Sequence, residues 1–257
     1  MADQRFPGSE RGTDDRGSGD RGTRLAAAPA RPSGPKARSK GVIFLLSAKG
    51  YAAYDTQAGS AEEPTLRNRQ TGQAIFDNSE AFARNLNRRQ RQAFNLDYDP
   101  LEIRYFTELK DLLGAVPGAD VAGGKWAGAV IVTHATFRAD RRGSRMVAGL
   151  WVLPDGVFAD DLRSFAGDSD PEFSDIRSRF DPTGTLNIFA CSGTDGDREL
   201  ACATRAFLGL GGNAYIPRSS IQIRDGGVLY LKIGDGKYRP FDPTRDIRTI
   251  TAADCGG

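Results

Sequence analysis

Two side chains of this sequence could form a nucleophile and base pair, Cys191 and His134. The chain of 257 residues contains one histidine and three cysteines. His134 ends the apolar run AVIVTH, and Cys191 directly follows the apolar run TLNIFA. A thiol reaches its reactive thiolate form at neutral pH when a base or a positive charge lies close to it, and an imidazole supplies either. The two residues therefore predict covalent catalysis by a thiolate, provided that the fold brings them together.

Each cysteine also has a structural interpretation when it is taken alone. Cysteine is among the most buried residue types, so Cys191 could be an inert thiol at the end of a core strand. Cys202 falls on the expected inner face of a helix, which predicts a core position, and Cys255 in the C-terminal DCGG predicts an exposed bystander. The odd number of cysteines argues against a disulfide framework and favours a reducing, cytoplasmic location.

The elements that must position the pair alternate between strands and helices. A continuous apolar run is typical of a strand that is covered on both faces, and residues 41–47 form such a run. Further strands are predicted at residues 101–107, 126–135, 185–190 and 213–217. Amphipathic or capped segments predict helices at residues 78–94, 107–116 and 197–208, and the polar stretch between the first strand and the first helix, residues 48–77, is interpreted as a loop. This alternation predicts an α/β fold with a mainly parallel sheet, in which functional sites collect at the carboxyl ends of the strands.

Hairpins and a tail complete the organisation. Residues 145–165 predict a β-hairpin that turns at Pro154-Asp155-Gly156 and leads into a helix capped by Asp160 or Asp161. A second hairpin is expected around residues 225–227. The first 40 residues are rich in Arg, Gly and Pro and cannot bury enough apolar surface to fold, so residues 1–40 are expected to be a disordered tail and residues 41–257 one domain.

The stretch from AVIVTHA through GLWVLPDGVFADDLRSF to TLNIFACSG resembles the core of the caspase-like cysteine peptidases, nearest to the bacterial CHAT-type domains. Those families carry a strand that ends in histidine, a hairpin with a DG turn, a helix, and a strand that ends in a cysteine within A-C-x-G. Residues 190–193 reproduce that last motif, and Cys191 follows His134 by 57 residues, near the roughly 50 of caspase-type enzymes.

The resemblance implies a three-layer α/β/α sandwich with an accessory β-hairpin, and a thiol protease that hydrolyses peptide bonds in proteins or peptides. In that reading Cys191 attacks the peptide carbonyl, His134 protonates the leaving amine, and the backbone N–H groups of Cys191 and Ala135 hold the oxyanion. Asp195 and Asp197 follow the nucleophile and would favour a basic P1 side chain, although solvated loop acids are the other interpretation.

One position departs from the family pattern. Glycine usually follows the histidine, whereas this chain has Ala135, which keeps the N–H but disfavours positive φ. Two functions therefore stay open: an active caspase-like endopeptidase, with an activating partner protein as a further expectation, or a catalytically silent caspase-like module that binds a partner and is tethered by the tail.

Other function classes find little support in the sequence. No potential metal ligands lie at close spacing, and the GLGG of residues 209–212 follows a helix instead of opening one, so neither a metal nor a cofactor is expected. The formal net charge is only +2, which argues against nucleic acid as a partner. No apolar run reaches the roughly 18 to 20 residues that span a bilayer, so no membrane association is expected.

Overall fold

The computed structural model describes residues 39–54, 65–86, 94–96, 98, 101–139, 145–167, 171–190 and 196–256. The strands, in chain order, are β1 Gly41–Leu46, β2 Leu101–Phe106, β3 Trp126–Val132, β4 Ala135–Ala139, β5 Met146–Leu150, β6 Val157–Phe158, β7 Phe180–Phe189, β8 Ala214–Pro217, β9 Ile221–Arg224, β10 Val228–Gly234, β11 Lys237–Pro240 and β12 Ile247–Ile250. The α-helices are α1 Ala48–Tyr54, α2 Leu66–Asn85, α3 Ala159–Gly167, α4 Pro171–Ser178, α5 Gly196–Leu208 and α6 Pro243–Asp246. The expected tail falls almost entirely outside the described residues.

The main sheet has six strands in the order β12-β8-β7-β3-β1-β2. Every neighbouring pair runs parallel except β8 and β12, which run antiparallel. The predicted α/β class with a mainly parallel sheet is therefore confirmed. The edge strand β12 was not predicted, because its four residues, IRTI, carry no continuous apolar run.

The sheet is covered on both faces. All six residues of β1 are buried, and their side chains alternate between two hydrophobic clusters. Val42, Phe44 and Leu46 join the cluster that includes residues of α3, α4 and α5, whereas Ile43 and Leu45 join the cluster that includes residues of α2, β9 and β10. A central sheet between two covering layers explains why β1 reads as an uninterrupted apolar run.

The segment that follows β3 folds into a small antiparallel sheet in the order β4-β5-β6. The predicted hairpin with its turn at Pro154-Asp155-Gly156 is confirmed as the pairing of β5 with β6. The chain then enters α3, as expected, but the helix begins at Ala159, so Asp160 and Asp161 lie in its first turn and neither precedes it as a cap. The Asp161 carboxylate accepts a hydrogen bond of 3.0 Å from the N–H of Phe158. A second antiparallel sheet, in the order β11-β10-β9, contains the predicted turn at residues 225–227.

The prediction for residues 48–94 was wrong in two respects. A helix, α1, lies at the start of the segment interpreted as a loop, and α2 begins at Leu66, well before the predicted start at residue 78. Thr65 is the N-cap, and its side chain accepts a hydrogen bond of 3.2 Å from the N–H of Asn68. The buried face of α2 includes Gly72 and Ser79, so the helical period of its apolar residues is obscured in the sequence.

Cys202 and Cys255 form a disulfide bond, with their Cα atoms 5.5 Å apart. The expectation that Cys255 is an exposed bystander is therefore wrong, and so is the inference from the odd cysteine count that disulfides are absent. The bond forms because the C-terminal segment packs on α5, where Arg198 also donates its guanidinium N–H groups to the carbonyl oxygen of Asp254. Within the described ranges, no helix has the length and apolar character to cross a bilayer.

Candidate active site

The carboxyl ends of β3 and β7 lie side by side at one edge of the main sheet. The two strands are parallel neighbours, and Val132 is the register partner of Phe189. The N–H of Thr133 extends this pairing by donating a hydrogen bond of 3.2 Å to the carbonyl oxygen of Phe189. His134 therefore stands at the point where β3 leaves the sheet, next to the point where β7 leaves it. This is the edge at which ligands collect in open α/β sheets.

Two tyrosines of α1 hold the imidazole of His134 in place. The ring of Tyr54 stacks on it with centroids 4.1 Å apart, and the ring of Tyr51 meets it edge-on at 5.1 Å. Trp151 fixes this helix, because its indole N–H donates a hydrogen bond of 2.9 Å to the carbonyl oxygen of Gly50 and its ring contacts Tyr54 edge-on. The spacing of three residues places Tyr51 and Tyr54 on one face of the helix.

The backbone around His134 is fixed as firmly as its ring. The N–H of Trp151 donates a hydrogen bond of 2.8 Å to the carbonyl oxygen of His134, and the hydroxyl of Thr133 donates one of 2.8 Å to the carbonyl oxygen of Trp151. The end of β5 therefore closes around the end of β3. A site whose backbone is held on both sides can present a side chain at a defined position.

Burial sets the protonation state of His134. It lowers the pKa of the imidazole from its ordinary 6.5 to about 4, because the charged form loses its hydration. Nε2 of His134 is buried, and within the described part of the chain no group forms a hydrogen bond with it. The ring is therefore neutral at pH 7 and keeps one nitrogen unused among these residues. Most buried polar atoms have a partner, so such a nitrogen calls for a functional explanation.

Ala135 is buried and begins β4, an edge strand of its small sheet. It pairs with Leu150. In an antiparallel pair, hydrogen-bonded and non-hydrogen-bonded residue pairs alternate, and the hydrogen bond from the N–H of Trp151 to the carbonyl oxygen of His134 makes the neighbouring pair the hydrogen-bonded one. Ala135 occupies a non-hydrogen-bonded position, so its N–H and C=O both point away from β5. The hydroxyl of Tyr54 accordingly reaches the carbonyl oxygen of Ala135 at 3.4 Å. Ala135 does not adopt positive φ.

A cavity of about 270 Å³ opens beside the imidazole. Its walls come from α1, α2, the ends of β3 and β7, and the small sheet of β9 and β11. The lining residues are Tyr51, Ile75, Ser79, Thr133, His134, Phe189, Ile221, Gln222, Ile223 and Tyr238. His134 and Phe189 share this cavity, so the space lies in front of the two strand ends.

The sequence-predicted residues fall into two groups. His134 and Ala135 lie together at the strand ends, whereas Cys191 and Asp195 lie outside the described residues. Asp197 lies in the first turn of α5 with 4% of its surface exposed, so it is not a solvated loop acid, and it does not line the cavity. A carboxylate in the first turn is favoured by the helix dipole.

Sequence reasoning missed Tyr51 and Tyr54, because they lie in the segment that was interpreted as a loop. Their signal was the spacing in AKGYAAY, where two aromatic residues three positions apart flank a pair of alanines. Among the described residues, no group of three or more histidine, cysteine or acidic side chains could hold a metal ion.

The sequence matches no protein-family model and no curated protein.

Proposed function

We propose that this chain is a caspase-like cysteine endopeptidase that uses a dyad of Cys191 and His134. The observation that carries the proposal is the arrangement of the strand ends. β3 and β7 are parallel neighbours in register, and the strand that leads to Cys191 ends beside a buried imidazole whose Nε2 has no partner among the described residues. The thiol of a nucleophilic cysteine would supply the hydrogen-bond partner that this nitrogen lacks among the described residues.

Chain connectivity supports the pairing. Val132 and Phe189 are register partners, His134 follows the first by two residues, and Cys191 follows the second by two. Consecutive Cα atoms are about 3.8 Å apart, so the Cα of Cys191 lies within about 8 Å of that of Phe189. Neighbouring strands are separated by only about 4.8 Å. These spacings are compatible with the proposed pairing of Cys191 and His134.

The proposed reaction begins with a proton transfer. The neutral imidazole of His134 takes the proton of the Cys191 thiol, and the thiolate formed raises the basicity of the ring by its charge. The thiolate attacks the peptide carbonyl carbon, and the N–H groups of Ala135 and Cys191 stabilise the oxyanion. The imidazolium then protonates the leaving amine, which departs and leaves a thioester. His134 removes a proton from water, which hydrolyses the thioester and restores the thiol.

The orientation of Ala135 bears on the rival function, a silent module that binds a partner. An oxyanion donor must point away from the sheet that carries it, and the ladder alternation gives the N–H of Ala135 that direction without positive φ. The absence of glycine after the histidine therefore does not remove the donor. This favours an active enzyme over the silent module.

The fold is compatible with the family assignment. The sheet is covered on both faces, five strands of it are parallel, and an accessory β-hairpin directly follows the histidine. The proposed substrate is a protein or peptide, and no cofactor is required for this chemistry. A cytoplasmic location was expected from the cysteine count, and the bond between Cys202 and Cys255 removes that argument, since disulfides persist mainly in oxidising compartments.

The test compares the wild-type chain with three variants on a library of peptides that covers every P1 residue. We expect cleavage by the wild type, and a loss of at least about 10²–10⁴-fold in kcat/KM for Cys191→Ala and His134→Phe, the range of nucleophilic and acid–base contributions. Ala135→Gly should stay within about tenfold of the wild type, because the donor is already present.

The outcomes separate the two functions. Cleavage that persists in Cys191→Ala would exclude this nucleophile. Activity that appears only in Ala135→Gly would identify an oxyanion hole disabled by alanine. Silence of both the wild type and Ala135→Gly, with the fold intact by circular dichroism, would overturn the peptidase and favour the binding module.

A further inference from the structure

The cavity beside His134 has walls without charge among the described residues. Four of its lining side chains are apolar, namely Ile75, Phe189, Ile221 and Ile223, and two are tyrosines, Tyr51 and Tyr238. The neutral imidazole of His134 forms a further part of the wall. The hydroxyl of Thr133 is already used, because it donates to the carbonyl oxygen of Trp151. The remaining polar side-chain atoms come from Tyr51, Ser79, Gln222 and Tyr238.

A cation, Arg224, contacts two of the side chains that line the cavity. The guanidinium of Arg224 lies over the ring of Tyr238 at 5.2 Å and over the ring of Tyr230 at 4.4 Å. Its Nε donates a hydrogen bond of 2.9 Å to Oε1 of Gln222. Arg224 does not itself line the cavity. Its charge disfavours a second cation in the cavity.

The carboxylates that would recognise a basic side chain are not in this wall. Asp197 is buried in the first turn of α5 and is not among the lining residues. A lysine or arginine side chain in the cavity would give up its hydration without gaining a carboxylate from the described walls. The transfer of an unpaired charge from water into an apolar site is strongly unfavourable.

We infer that this cavity is the P1 pocket and that it takes an uncharged, largely apolar side chain of the peptide substrate. The inference rests on the proposed function, since the imidazole in the wall would place the attacked carbonyl at its mouth. The volume of about 270 Å³ lies just below the range of pockets for drug-sized ligands, which fits one side chain of the size of leucine, methionine or phenylalanine.

The first experiment measures kcat/KM of the wild-type chain on peptides that differ only at P1. We expect leucine, methionine and phenylalanine to exceed arginine, lysine and aspartate by at least about 100-fold, because of the cost of burying an unpaired charge. Preference for any of the three charged side chains would overturn the inference while the peptidase itself would stand.

Two variants then test whether this cavity sets the preference. Ile223→Trp fills the space and should lower cleavage after phenylalanine by at least about tenfold, with little change after alanine. Ile233→Trp is the matched control, because it makes the same exchange at an exposed position of the same small sheet, where 57% of the isoleucine surface is accessible.

A binding measurement separates the pocket from the chemistry. In the Cys191→Ala variant, N-acetyl-leucine amide should cause a saturable shift of the His134 Hε1 resonance, whereas N-acetyl-arginine amide should not. The chain has one histidine, so the resonance needs no assignment. The shift should be lost in the double variant with Ile223→Trp. A shift without peptide cleavage by the wild type would keep the pocket and overturn the peptidase. No shift with any uncharged amide would overturn the pocket.

Discussion

Asp246 and His134 are both ionisable side chains in the interior of this fold, but their surroundings differ. Asp246 has 2% of its surface exposed, and Arg239 donates to both of its carboxylate oxygens, at 2.6 and 2.5 Å. The N–H of Asp242 adds a third hydrogen bond of 2.8 Å to the same carboxylate. His134 is held by aromatic rings instead, and its Nε2 has no partner among the described residues.

The pKa values respond in opposite ways to burial. Burial raises the pKa of Asp246, but the hydrogen bonds from Arg239 and from the backbone of Asp242 outweigh it, so the net pKa is lowered. For His134 burial lowers the pKa, and among the described residues no partner opposes it. Asp246 is therefore a satisfied structural charge that joins β11 to the turn before β12. His134 is kept neutral, with Nε2 unpartnered among the described residues, at a cost in stability, which is the pattern of a functional group.

The largest expected effect is the pH dependence that His134 adds to stability. Its pKa is about 4 when folded and 6.5 ordinarily, so the unfolded chain binds the proton more readily between these values. The stabilisation that His134 contributes should therefore be fully present above pH 6.5. The free energy of unfolding should fall by about 3 kcal/mol as the pH drops to 4. Urea unfolding of the wild type and of His134→Phe at pH 6.5 and at pH 4 measures how far the pH dependence differs between the two proteins. The carboxylates contribute equally to both proteins, so their effect drops out of this comparison. Parallel losses in the two proteins would show that the imidazole is not buried in its neutral form.

The second effect concerns Asp246 and acts in a different pH range. Asp246→Asn keeps the shape but removes the charge, and should lower the free energy of unfolding at pH 7 by about 2 kcal/mol, the scale of hydrogen bonds to charged groups. Because the pKa of Asp246 is depressed, this stabilisation is present above its unfolded value near 4 and is lost as the pH falls further.

The matched control is Asp160→Asn, which alters a more exposed pair with Arg138 of 2.7 Å. We expect a change below about 1 kcal/mol there, as for most surface ion pairs. Equal effects at the two positions in chemical denaturation would contradict the distinction between the buried and the exposed carboxylate.

The smallest effect tests the aromatic wall. Tyr54→Ala removes the ring stacked on His134 and should admit water, so that the pKa of the imidazole rises from about 4 toward 6.5 by about one unit. Tyr54→Phe keeps the ring and should leave the pKa unchanged. An NMR titration of the single histidine gives both values. A pKa that stays near 4 in Tyr54→Ala would assign the burial to other contacts.

Sequence reasoning located the strands of the main sheet that carry the site, because β1, β3 and β7 are covered on both faces and read as apolar runs. It also located His134, since a polar residue at the end of such a run is visible without the structure. The strand order and the register of Val132 with Phe189 required the structure, because pairing depends on residues far apart in the chain.

Helix α1 and the start of helix α2 were missed because of the residues at their contact. The buried face of α2 includes Gly72, where a Cβ would lie 2.5 Å from the backbone nitrogen of Ala52, so the close approach of α1 selects glycine in place of an apolar residue. The periodic spacing of apolar residues that would predict a helix is therefore interrupted at Gly72. The two tyrosines of α1 were missed together with their helix, and with them the aromatic wall of the candidate site.

The disulfide bond between Cys202 and Cys255 determines how many free thiols the chain carries. Of three cysteines, two are consumed in it, so an oxidised chain carries one free sulfhydryl, that of Cys191. An alkylating reagent applied without reductant should add one adduct per molecule, and intact-mass spectrometry would count it directly. Adding a reductant should raise the count to three. Because the disulfide bond protects the other two cysteines, a fluorophore or an inhibitor can be attached selectively to Cys191 without mutating any other residue.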